Sequence, residues 1–186
     1  MVLAAVTVSW LVSTNLQVPW SPATSLPFAL CDIATVVAAA ALWWRTPLLV
    51  ELTYFWGLAG TLQALLTPDL SVGFPSLEFF QYVIAHAGVV AAALFLVVGQ
   101  GIRPRRGSVP RIFVITAVYT ALVGALDAVT GGDYMFLRSR PASWTLLSVL
   151  GPWPWYVVSA AGVALVLLVV LYLPFWMSRG DHGSVP

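Results

Sequence analysis

The sequence holds one cysteine and two histidines. Cys31 and His86 both fall inside apolar stretches, where a polar or ionisable group is costly to retain. Glu78, Tyr82 and His86 recur at i, i+4 and i+8, so one helix would carry all three on a single face. A thiol near a helix N-terminus, with an imidazole to take its proton, is the pairing that attacks an acyl ester. A lone thiol also serves as an ordinary small hydrophobe. A membrane histidine also serves as a helix–helix hydrogen bonder. Both readings stand at the level of spacing. Around this pair lie Asp32, Gln63, Asp69, Gln81, Tyr82, Asp127 and Tyr134. Gln63 can orient the imidazole or donate to an oxyanion, and Asp69 or Tyr134 can meet a headgroup. Asp32, Gln81, Tyr82 and Asp127 are further polar groups for support or substrate binding.

The elements that must position these groups are membrane helices. Of 186 residues, 60% are hydrophobic and 8% charged, with a mean hydropathy of +0.93. A soluble domain carries roughly 25% charged residues, since water must solvate its surface. The expected fold is an all-α polytopic bundle with about six transmembrane helices, at roughly 20 residues each. Spans are expected at Val2–Gln17, Leu26–Trp44, Pro47–Leu66, Leu77–Val98, Pro110–Thr130 and Trp155–Met177. Residues 1–178 form one membrane domain, with 179–186 as a short cytoplasmic tail. No signal peptide with a basic n-region precedes the first apolar run, so the N-terminus is expected to be retained. Ser25 with Pro27, Thr67-Pro68-Asp69 and Ser76 punctuate the span ends.

Arginine placement sets the orientation. All eight cations are arginine. Six spans put Arg45, Arg103, Arg105, Arg106, Arg111 and Arg179 on one side, against Arg138 and Arg140 on the other. The positive-inside bias makes the C-terminus and the 103–111 loop cytoplasmic in a bacterial-type plasma membrane. Cys31, Gln63, Tyr82, His86 and Asp127 then share the outer half, and Glu51 alone among the acids of the spans lies on the inner side. Residues 131–154 are too broken for a span and too apolar for a free loop. They are expected at the outer interface as a re-entrant or surface segment, with Trp144, Trp153 and Trp155 at headgroup depth.

Several function classes fall away. A net charge of +1 offers no basic face to neutralise phosphates, so nucleic acid is not an expected partner. One cysteine forbids an internal disulfide and a cysteine cluster for zinc or iron–sulfur. No metal or nucleotide motif is present, and no cofactor is expected.

The strings LPFALCDIA (26–34), ELTYFWGLAGTLQALLTPDL (51–70), FFQYVIAHAG (79–88), GGDYMFLRSRP (131–141) and LGPWPWYVV (150–158) resemble the YwaF-type integral membrane proteins. That group includes the mammalian transmembrane protein 164. The resemblance implies a lipid acyltransferase with a membrane cysteine and histidine, matching Cys31 and His86, and phospholipids or lysophospholipids as partners. The fold is also similar to the androgen-induced hydrolases, which use a threonine nucleophile and a membrane histidine. Family members commonly carry an additional helix before the region where this chain starts. They commonly carry asparagine where Asp133 stands, and histidine in place of Phe28 or Ala29. The expected function is a Cys–His lipid acyltransferase or lipid hydrolase opening to the outer leaflet. The rival is a non-catalytic binding module, such as a substrate-capture subunit of a transporter.

Overall fold

A computed structural model describes residues 2–17, 19–70 and 72–177, with the side chains of 14–17 excepted. The expected tail at 179–186 lies outside the described residues. Six apolar helices account for the bundle: α1 (Val2–Gln17), α2 (Leu30–Trp44), α3 (Pro47–Leu66), α4 (Leu77–Gly99), α5 (Ser108–Thr130) and α6 (Trp155–Met177). No strand occurs among the described residues. The protein is an all-helical membrane bundle. Four helices, α3 to α6, are long and apolar enough to cross a membrane.

The other two are shorter. α2 begins at Leu30, later than the expected Leu26, because Pro27 keeps residues 26–29 out of helical geometry. Its 15 residues reach only about 22 Å at ~1.5 Å per residue. Cys31 and Asp32 consequently stand within the first turn of α2, where a full turn of helix was expected before them.

Local chemistry explains most ends. Ser76 caps α4, its hydroxyl accepting from Phe79 N at 3.1 Å, which satisfies one orphan donor of the first turn. Pro47 opens α3 at a position where its missing N–H costs nothing. α3 packs against α2, α4, α5 and α6 and is the centre of the molecule. One π-helical turn, Gly57–Thr61, interrupts it. A methyl group on Gly57 would lie 3.3 Å from Ala93 and 3.4 Å from Val89, so the small residue lets α4 come close. α1 lies on α2 and α4, and at Gly88 a side chain would strike Leu3 at 2.5 Å. Inside a bilayer no hydrophobic force draws helices together, so such close contacts and interhelical hydrogen bonds carry the packing. Trp56 Nε1 donates to Thr116 at 2.8 Å, and the Tyr54 hydroxyl donates to Leu171 O at 3.0 Å.

The two ends of the bundle differ. The end bearing residues 100–107 is the arginine end. The opposite end carries 19–29, 67–76 and 131–154, a cap of loops with one 3-10 turn at Leu146–Val149. The broken stretch expected at 131–154 is this cap.

Candidate functional site

At the cap end, α2, α3 and α4 bring their polar residues together. Thr67-Pro68 ends α3, and Pro68 has no N–H for the carbonyl of Ala64 four residues back. The Tyr82 hydroxyl of α4 donates to that orphaned carbonyl at 2.6 Å. This bond locks Tyr82 across the α3–α4 seam. One turn further, the His86 ring stacks on the Tyr82 ring with centroids 3.8 Å apart. His86 is 8% exposed, and its Nδ1 lies 2.8 Å from the carbonyl of Tyr82. A carbonyl only accepts, so Nδ1 carries the proton and Nε2 keeps its lone pair. Nε2 is therefore the basic nitrogen, and none of the described hydrogen bonds spends it.

Cys31 is the free cysteine, half-buried. It lies within electrostatic reach of Tyr82 and of Asp32. Tyr82 thus stacks on His86 in the helix that packs against the one bearing Cys31. The N–H groups of Leu30 and Cys31 fall in the first turn of α2, where a helix offers no carbonyl to receive them. Gln63 follows the π turn of α3, half-buried, and its side-chain amide makes no hydrogen bond among the described residues. A methyl group on Gly60 of the same turn would lie 3.7 Å from the Leu30 side chain, so this part of α3 abuts the start of α2. The orienting partner of His86 is the Tyr82 carbonyl, a role the sequence offered to Gln63.

The remaining expected residues hold the structure together. Gln81 is buried and points to α1, donating to Ser9 at 2.7 Å and accepting from Ser13 at 3.3 Å. Asp127 is fully buried and receives the Tyr134 N–H at 3.2 Å. The Tyr134 hydroxyl donates to Pro22 O at 2.7 Å and accepts from Leu26 N at 3.2 Å. Asp69 accepts from Ser143 N at 3.1 Å, joining two cap loops beyond its own turn. Gly132 sits where a methyl group would meet Ala23 O and Tyr134 at 2.9 Å, which explains the paired glycines of this loop. Asp32 stays beside Cys31 and acts on Tyr119, whose hydroxyl donates to Phe28 O at 2.8 Å.

A second polar cluster went unassigned in the sequence. Glu51 is 1% exposed on α3. It accepts from Arg105 N and Nε at 2.9 Å, from Arg105 Nη2 at 3.1 Å and from Arg111 Nη1 at 2.7 Å. The hydrogen bonds Arg105 donates to Glu51 push the guanidinium above its already high pKa, so it stays charged. The signal was legible, since Glu51 is the sole span carboxylate among the arginines.

No group of three or more histidine, cysteine or acidic residues arranged to hold a metal occurs among the described residues. The fold and the cap-end cluster define a helical membrane protein with polar residues gathered at one end. The chain belongs to the TMEM164 family, whose model matches residues 1–172. It is similar to an uncharacterized protein of Treponema pallidum (strain Nichols), 29% identical over 163 residues. The match covers 85% of this chain and 64% of that relative, so the chain spans under two-thirds of the relative's length. No solved structure matches.

Proposed function

We propose that this chain is a lipid acyltransferase or lipid hydrolase of the membrane, working through Cys31 and His86. The observation that carries the reading is the fixed tautomer of His86. Its Nδ1–H is held by the Tyr82 carbonyl at 2.8 Å, which leaves Nε2 as a base beside the helix that bears Cys31. In this reading Nε2 takes the thiol proton as sulfur attacks the ester carbon of a phospholipid. The carbonyl oxygen becomes an oxyanion, and the first-turn N–H groups of α2 with the Gln63 amide are the donors this reading assigns to it. The intermediate collapses to a thioester, and His86 returns the proton to the departing lysolipid alkoxide. A lysolipid hydroxyl or water then attacks the thioester by the same steps in reverse. No cofactor is required.

Time-resolved mass spectrometry of the purified protein with a mixed-chain phospholipid tests this. An acyl adduct on wild type that is lost in Cys31→Ala is expected. A wild type with neither adduct nor lipid turnover, across several headgroups, would return the site to a binding module. In the same reading the cap end faces outward and the 103–111 loop faces the cytoplasm. A cysteine at the exposed position of Arg106, in a Cys31→Ser background, should resist an impermeant thiol reagent on intact cells. Labelling there would reverse the orientation.

A further inference from the structure

The cap contains a second feature that acyl transfer does not use. Residues 140–148 enclose an open groove of about 560 Å³ lined by Arg140, Pro141, Ala142, Ser143, Trp144 and Ser148. Arg140 Nη1 donates to Ser148 O at 3.2 Å, which fixes the guanidinium while spending one of its five N–H donors. Among the described residues Arg140 forms no ion pair. The neighbouring carboxylates are held by backbone and hydroxyl donors, Asp69 at the groove's own Ser143. Asp133 accepts from Arg138 N, Ser139 N and the Ser139 hydroxyl, and Asp69 accepts from Ser143 N.

The groove carries an open indole. Trp144 is 70% exposed, and Trp153 and Trp155 of the same cap are comparably open. α6 begins at Trp155, so the last two stand where the apolar span starts. Exposed indoles at that level sit among lipid headgroups. A guanidinium with unspent donors matches a phosphate, which it can grip through two parallel hydrogen bonds. The indole beside it offers an apolar face to the glycerol and the first acyl carbons.

We propose that this groove binds the phosphate group of a membrane phospholipid. The proposal stands apart from the acyl-transfer reading, since it requires binding and no turnover. Native mass spectrometry of the detergent-purified chain tests it. Dioctanoyl phosphatidylglycerol and dioctanoylglycerol are titrated in parallel, with inorganic phosphate as competitor. Wild type should prefer the phospholipid by about tenfold, the value of one charge-assisted contact. Arg140→Gln should erase that preference, and Arg106→Gln at the arginine end should keep it. Should Arg140→Gln fail to fold, Arg140→Lys retains the charge without the fork and should lose several-fold. Unchanged preference in both Arg140 variants, or equal binding of the two lipids by wild type, overturns the proposal. Displacement by an equal concentration of inorganic phosphate overturns it too, assigning the groove to the free ion.

Discussion

The two polar clusters of this bundle spend their hydrogen bonds differently. At the arginine end, Glu51 faces two guanidiniums and a backbone N–H, and both carboxylate oxygens are answered. At the cap end, the His86 ring is fixed through one nitrogen while the other nitrogen, the Cys31 thiol and the Gln63 amide stay unspent. A buried polar group costs free energy until it is paired. Glu51 has that cost settled within the protein and reads as a clamp. In the reading proposed above, the unspent groups of the cap end are left for a substrate.

The largest effect expected from breaking this comparison is on turnover. His86→Ala should slow thioester formation by roughly 10²–10⁴, the usual worth of a positioned base. A thiol without its base must ionise before it attacks, and below its pKa the ionised fraction climbs about tenfold per pH unit, so this variant should gain rate as pH rises. A flat pH profile in His86→Ala, measured by adduct formation, would remove the histidine from the mechanism. Next comes the clamp. Replacing Arg105 and Arg111 together by alanine strands the Glu51 charge and should lower the stability of the bundle. Unfolding in denaturing detergent measures this, and turnover per folded molecule should hold. Equal loss of turnover and stability would show that the two ends are coupled.

Gly132→Ala should cost about 1–3 kcal/mol, since the methyl meets a backbone oxygen and a locked ring. Its signature is protease sensitivity confined to 131–154 with α3 and α4 still protected. The smallest effect belongs to Tyr82→Phe, which keeps the stack on His86 and removes the donor to Ala64 O. About 1 kcal/mol of stability should go, with a turnover loss well below that of His86→Ala. A loss as large as that of His86→Ala would give the Tyr82 hydroxyl a direct part in the chemistry.

Much of this was legible before any coordinates. The helix ends follow Ser76, Pro47 and Pro68, because capping and missing N–H groups act locally. Gln81, Asp127 and Tyr134 lie in the cap-end half, as their places along the chain imply. The bonds of Gln81 to Ser9 and of Tyr134 to Pro22 were not legible, since those partners lie on distant segments. The Tyr82–Ala64 bond falls between. Pro68 announces an orphaned carbonyl at Ala64, yet nothing local says which donor will arrive.

The sequence by itself determined the class of protein, the six apolar helices and the presence of one thiol and one spanning-segment histidine. These follow from composition and from periodicities a few residues long, which physics reads segment by segment. Only the tertiary structure decided that α3 is central and that Tyr82 ties α4 to the end of α3 through the Ala64 carbonyl. Those outcomes depend on how helices pack. In lipid, packing is settled by small residues and a few long-range hydrogen bonds, because apolar surface alone gives no preference for one neighbour over another.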